Sequence, residues 1–260
     1  MVLNKDLRVR IARMVSRAGE GHIPSSLSIV DLIEYLYGHV LRYDSANPNW
    51  PERDYFILSK GHGCAALYVV LQKYGFISEQ DLNDCGTAAG ILGGHPDMTS
   101  VPGVEASTGS LGHGFPTSLG IALGLRVQRK ENRVFALLGD GECHEGTIWE
   151  SANVGANLRL GNLCAIVDWN GSAAQLMPVD DLPAKWKAFG WETYVVDGHS
   201  EDEMQRLFAR LKFSAVGIPK AIVARTVKGK GVTFIEGHGK WHHRIPDQDE
   251  LAAIIGELSE

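Results

Sequence analysis

Asp140 and Asn170 are the side chains whose type and placement could do chemistry on a charged small molecule. Asp140 lies in Gly139-Asp140-Gly141-Glu142-Cys143-His144-Glu145-Gly146, directly after Arg133 to Leu138, an apolar run with the length of a buried strand. The glycines allow a tight turn with close backbone approach. Asn170 follows a second such run, Asn162 to Asp168. Open α/β sheets place ligands at the carboxyl ends of their strands. A carboxylate and an amide oxygen there suit a hard divalent cation, and through it a diphosphate. If the two strands neighbour each other in one parallel sheet, Asp140 and Asn170 converge on one metal. Glu145, in the same glycine-bounded turn, could serve a proton relay or a subunit contact.

Other glycine-rich turns surround this motif. Asp54 to Leu58 reads as a short buried strand, followed by Ser59-Lys60-Gly61-His62-Gly63 and a helix from Cys64 to Tyr74. Such a strand, turn and helix is a candidate anion site, since the first helical N–H groups are unpaired. His95 lies in Gly93-Gly94-His95-Pro96-Asp97, within a loop-rich stretch from Ile77 to Pro102. Ser107 to Gly114 forms another glycine loop, opening a small-residue helix from Pro116 to about Lys130 in which Gly120, Ala122 and Gly124 permit close packing. Lys228-Gly229-Lys230-Gly231 follows the last clear strand, Ala221 to Thr226, where a lysine can lie near a phosphate or be a solvated charge. The tail Glu236 to His243 holds three of the ten histidines, and imidazole is the usual proton carrier near neutral pH.

The elements that must position these groups alternate between helix and strand. Leu7, Ile11, Met14, Val15 and Ala18 recur at helical spacing over Leu3 to Ala18. Pro24 predicts a loop over Gly21 to Ser26, containing His22, with Ser28 capping a helix from Ile29 to Tyr37. Further helices are expected over Thr147 to Leu158, Leu182 to Phe189, Ser200 to about Phe213 and Gln248 to Leu258. Gly171 to Asp180 reads as a loop and Trp191 to Val196 as a strand. This alternation predicts an α/β fold, a parallel sheet flanked by helices, as one domain over residues 1–260.

Composition excludes several classes. The balance of 25 Lys and Arg against 31 Asp and Glu, without a dense basic stripe, speaks against a nucleic-acid partner. No run approaches the ~18–20 apolar residues of a membrane span, and the amino terminus lacks the apolar core of a leader. Four cysteines without a CxxC pair point to neither a zinc site nor a disulfide framework, so a cytoplasmic location is expected. No GxGxxG follows the first strand, which disfavours a nucleotide-dependent dehydrogenase.

Taken together and in order, GHIPSS, SKGHG, GGHPD, STGSLGHG, GDGECHEG with DWN, TVKGKG and KWHH extend from about Gly19 to His242. With them the chain resembles the amino-terminal, diphosphate-binding half of transketolase, in the form split into two chains. The resemblance implies the thiamin diphosphate-binding fold of the diphosphate-side (PP) type, with thiamine diphosphate and Mg²⁺ or Ca²⁺ as cofactors. It implies that Asp140, Asn170 and the Ser172 carbonyl hold the metal, and that His62, Gly141 and His242 contact the diphosphate or thiazolium. It places the Gly109-Ser110-Leu111 backbone along the aminopyrimidine. It implies that His22, His62, His95 and His242 act around the reacting carbons, and that Glu145 lies at a subunit contact. The activity implied is transfer of a two-carbon ketol unit from a ketose, or its phosphate, to an aldose. A carboxyl-terminal, pyrimidine-binding chain would complete the site in a heterotetramer with two copies of each. His113 stands where the family usually has glutamine, and Ser172 where a larger apolar residue is common. The alternatives are the α subunit of a 2-oxo acid dehydrogenase and a non-catalytic cofactor-binding subunit; GHIPSS, SKGHG and KWHH favour transketolase.

Overall fold

A computed structural model describes residues 4–175, 177–179, 181–237 and 239–259. Leu3, Asp180 and His238, at which predicted elements begin or end or the histidine tail is counted, lie outside them. In chain order the helices are α1 (Lys5–Ala18), α2 (Ile23–Tyr35), α3 (Cys64–Lys73), α4 (Glu79–Asn83), α5 (Gly114–Val127), α6 (Gly146–Asn157), α7 (Leu182–Ala188), α8 (Glu201–Phe208) and α9 (Gln248–Ser259). The strands are β1 (Tyr55–Leu58), β2 (Val134–Gly139), β3 (Leu163–Trp169), β4 (Glu192–Asp197) and β5 (Lys220–Arg225). All five pair in parallel in the order β1-β2-β3-β5-β4.

Period-two alternation along the strands feeds two cores. Phe56, Leu58, Phe135, Leu137, Cys164, Ile166 and Ile222 point to one face, which α1, α2, α3, α8 and α9 cover. Ile57, Ala136, Leu138, Ala165, Val167 and Val223 point to the other, under α5, α6 and α7. Being covered on both faces is what makes β2 and β3 continuous apolar runs rather than alternating ones. β4 is an edge strand, and its Val195 is 41% exposed. Among the described residues no helix is long and apolar enough to cross a membrane, and the four cysteines are buried and free.

Several local expectations are corrected. Pro24 does not break a helix; it occupies the first turn of α2, where its missing N–H has no intrahelical partner to lose. His22 is therefore the N-cap residue of α2 rather than part of an open loop. Ser28 is not a cap, since its hydroxyl is buried and donates to Asp168 Oδ2 at 2.8 Å. α2 ends at Tyr35 and runs into a π-helical turn, Leu36–Val40. The stretch from Ile77 to Pro102 contains α4, started by a reciprocal cap in which Ser78 and Asp81 satisfy each other's backbone N–H. α8 has the expected Ser200 cap but stops at Phe208. Of Gly120, Ala122 and Gly124 in α5 only Ala122 is buried, and a Cβ at Gly120 or Gly124 would meet nothing within 4 Å.

Candidate active site

The parallel sheet brings the carboxyl ends of β1, β2, β3 and β5 to one edge, where the turns that follow them meet. Register pairs Gly139 with Asp168, and Asp140 N–H donates to Asp168 O at 3.1 Å, so the two motifs are neighbours as expected. After β1, Gly61 lets the backbone of the 107–114 loop press against the turn: a Cβ there would sit 2.8 Å from Gly109 N. Glu142 fastens these pieces from below. Its Oε1 accepts from Ser59 Oγ at 2.5 Å and Gly112 N–H at 3.0 Å, and its Oε2 from Gly139 N–H at 3.2 Å.

Asp168 is the centre of the framework. Fully buried, it accepts from Lys60 Nζ at 2.6 Å, Ser28 Oγ at 2.8 Å, Asn170 Nδ2 at 2.8 Å and the Thr226 hydroxyl. Burial alone would raise its carboxyl, but the Lys60 ammonium and these hydrogen bonds hold it below the usual carboxylate range. The bond to Asn170 Nδ2 fixes the amide so that Oδ1 is left as an acceptor, which takes Ser172 N–H at 3.0 Å. Lys60→Met should cost about 3–5 kcal/mol in urea unfolding, because it strands a buried carboxylate. A loss below ~1 kcal/mol would show that the pair does not hold the framework.

Asp140 is different. It is 5% exposed and Oδ1 accepts from Gly141 N–H at 2.7 Å, yet among the described residues no lysine, arginine or histidine lies within ion-pair distance of it. Burial first, and Asp168 second, push its carboxyl upward, against the backbone N–H groups of Gly141 and Gly171. A divalent cation would relieve both effects. No cluster of three His, Cys, Asp or Glu side chains that could hold a metal occurs among the described residues. A carboxylate, an amide oxygen and a backbone carbonyl, as Asp140, Asn170 and Ser172 could offer, are the donor types a hard cation takes when a bound ligand supplies the rest of its shell. Lys228 is the complementary cation. Its Nζ donates to Ser172 Oγ at 2.7 Å and meets His242 Nδ1 at 2.7 Å, with no carboxylate at ion-pair distance among the described residues. Burial first, and then Lys60, press it down to about 8. The serine that departs from the usual apolar residue at 172 thus gives Lys228 a hydroxyl partner.

The imidazoles gather above. His22 packs edge-on to His62 at 5.2 Å and to His242 at 5.7 Å between ring centroids. Burial, followed by nearby cationic groups, lowers His62 to about 2 and His22 to about 4, so both are neutral near pH 7. His22 Nδ1 is buried without a hydrogen-bond partner. His95 is exposed, and its ring covers Gly109, where a Cβ would sit 3.1 Å from His95 Cδ2. Its carbonyl accepts from Tyr68 Oη at 2.8 Å. Ser110 is exposed and Leu111 half-buried on the same loop. Glu145 is exposed at the N-terminus of α6, packed on Gly112. His113 points outward, its Nδ1 3.1 Å from Leu111 O.

Sequence reasoning named Asp140, Asn170, Ser172, Lys228 and the four histidines, but gave no role to Lys60, Asp168 or Glu142. It also missed His243, whose ring lies 4.7 Å from His22. KWHH was the only signal for His243, and it does not distinguish the two adjacent rings.

A parallel sheet with this cluster at its strand ends defines an α/β cofactor-binding protein. The chain belongs to the family described as transketolase, thiamine diphosphate binding domain, which matches residues 2–258. It is 36% identical over 258 residues to one of the subunits of the apulose-4-phosphate transketolase of Phocaeicola vulgatus, covering 97% of this chain and 91% of that one. It is 37% identical over 249 residues to the 6-deoxy-6-sulfo-D-fructose transketolase subunit of a Clostridium species, covering 94% and 90%. Among solved structures it superposes on transketolase from Campylobacter jejuni with a TM-score of 0.90 at 28% identity, over 97% of this chain. It spans 41% of that chain. These relatives do not favour the 2-oxo acid dehydrogenase reading.

Proposed function

We propose that this chain is the diphosphate-binding half of a two-chain transketolase, transferring a two-carbon ketol unit between sugars or sugar phosphates. The observation that carries the reading is that Asp140 and Lys228, each without an oppositely charged group at ion-pair distance among the described residues, lie near each other beneath neutral imidazoles. Asp140, Asn170 Oδ1 and the Ser172 carbonyl would hold Mg²⁺ or Ca²⁺. Lys228, His62, His242 and the Gly141 backbone face the diphosphate, and Gly109 to Leu111 line the aminopyrimidine.

Thiamine diphosphate, when bound, supplies the electron sink for carbon–carbon cleavage. The chain itself orients the donor and moves protons. His22, neutral and packed against His242, is the group this reading assigns to taking a hydroxyl proton from the ketose, with His95 and His242 as the other proton carriers. The exposed mouth of the site is the side on which a pyrimidine-binding chain would dock, with Glu145 at the contact, in a cytoplasmic heterotetramer with two copies of each chain. The names of the two separate-chain relatives, one for apulose 4-phosphate and one for a sulfonated fructose, support a specialised sugar rather than a particular one.

The complex with its partner is expected to transfer ketol units from a panel of ketoses and to leave 2-oxo acids untouched. His22→Ala should lower kcat by ~10²–10⁴-fold, the usual worth of a positioned acid or base. Oxidative decarboxylation of a 2-oxo acid, or full turnover by the His22 variant, would overturn these assignments.

A further inference from the structure

His199 lies at the turn after β4, outside the imidazole cluster, and takes no part in the function proposed above. Its surroundings connect it to that function. Asp31 of α2 is 1% exposed and receives the Arg8 guanidinium through Nη1 at 2.8 Å and Nη2 at 2.7 Å, along with Asn4 Nδ2 at 3.0 Å. His199 Nδ1 contacts the same carboxylate, at Oδ2, at 2.7 Å. A carboxylate accepts only, so Nδ1 carries the proton, and in the neutral ring Nε2 is left with its lone pair. That lone pair accepts the N–H of Val227 at 3.0 Å.

Val227 immediately precedes Lys228. On the other side of Lys228, Arg8 Nε donates to Lys230 O at 2.9 Å. The two arms of one buried ion pair therefore grip the backbone on either side of the lysine. Between them Gly229 N–H donates to Pro24 O at 3.0 Å, tying the loop to the helix that His22 opens. Gly229 and Gly231 have φ of 82° and 99°, so the loop follows a path that few side chains would allow. Burial alone would raise the Asp31 carboxyl, but Arg8 and then His199 hold it down, in keeping with an ionised hub.

We propose that His199 is a positioning residue for the cofactor's diphosphate, acting through Val227 to aim Lys228. Asp31 fixes its tautomer and orientation, much as a carboxylate behind a metal-bound imidazole does. This inference rests on the reading of Lys228 as a diphosphate contact.

The test is a double-mutant cycle on thiamine diphosphate affinity, measured by calorimetric titration in the complex with the partner chain and Mg²⁺. His199→Asn keeps a donor where Nδ1 stands, so Asp31 stays paired, and removes the acceptor for Val227. It is expected to weaken binding on the order of 10-fold. His199→Gln can place an amide oxygen near the Nε2 position and should restore affinity to within about threefold of wild type. In a Lys228→Ala background His199→Asn should have almost no further effect, because the group it aims is gone. A purely structural role would give additive losses and no rescue by glutamine. Wild-type affinity in His199→Asn, or additivity with Lys228→Ala, overturns the inference alone. A wild-type complex that does not bind thiamine diphosphate overturns the functional reading as well.

Discussion

Adding the pyrimidine-binding chain should raise ketol-transfer turnover by at least ~10³-fold over this chain alone, saturating at a one-to-one ratio. The expectation follows from what the site contains and what it leaves open. The floor is ordered: Asp140 is held by Gly141 N–H, Asn170 by Asp168 and Lys228 by Ser172 Oγ. The roof is missing, since His95, His242, His243 and Glu145 are all exposed. A ring system lying on Gly109 to Leu111 would have one face in water, where a developing charge gains little from fixed dipoles. Titrating the partner into a fixed amount of this chain, with turnover and sedimentation followed together, decides the point. Turnover that does not depend on partner concentration would sink it.

Asp140→Asn should have effects of opposite sign on stability and on binding. Without cofactor, the substitution removes a buried charge that has no basic group at ion-pair distance among the described residues and that stands near Asp168. A gain of about 1 kcal/mol would raise Tm by about 2–4 °C. Cofactor with Mg²⁺ should then no longer stabilise the chain, because the amide lacks the charge a hard cation needs. Turnover in the complex should fall by more than ~10²-fold. Thermal melts with and without cofactor and Mg²⁺ read both effects. A variant that is less stable without cofactor, or that keeps its cofactor-dependent shift, would show that Asp140 is a structural carboxylate. Lys60→Met makes the contrast, since it removes the partner of a charge that is satisfied.

The sheet and the adjacency of the Asp140 and Asn170 turns were legible in the sequence because their signals are local. Buried strands read as apolar runs, and the turns after them carry glycine within a few positions. The supporting groups were not legible. Lys60 and Asp168 are separated by 108 positions, and Ser28 and Asp168 by 140. No periodicity connects such residues. Lys60 also read as a turn residue because a buried lysine is rare unless paired, and its partner lay in an apolar strand. Pro24 misled for a different reason: the rule that proline breaks helices does not hold in the first turn. His199 read as a turn residue, and its link to Val227 appears only when β4 and β5 are adjacent.

Asp168 receives donors from α2, from the turn after β1, from beyond β3 and from beyond β5, all at one buried carboxylate. Each change to such a hub strands several partners at once. The rim formed by residues 93–113 is held separately, by Tyr68 Oη on the carbonyls of Gly93 and His95 and by Gly112 N–H on Glu142. Four segments far apart in the chain thus share one anchor, so a fault at Asp168 would be felt at once in α2 and in the turns after three strands, as a lost keystone loosens a whole arch.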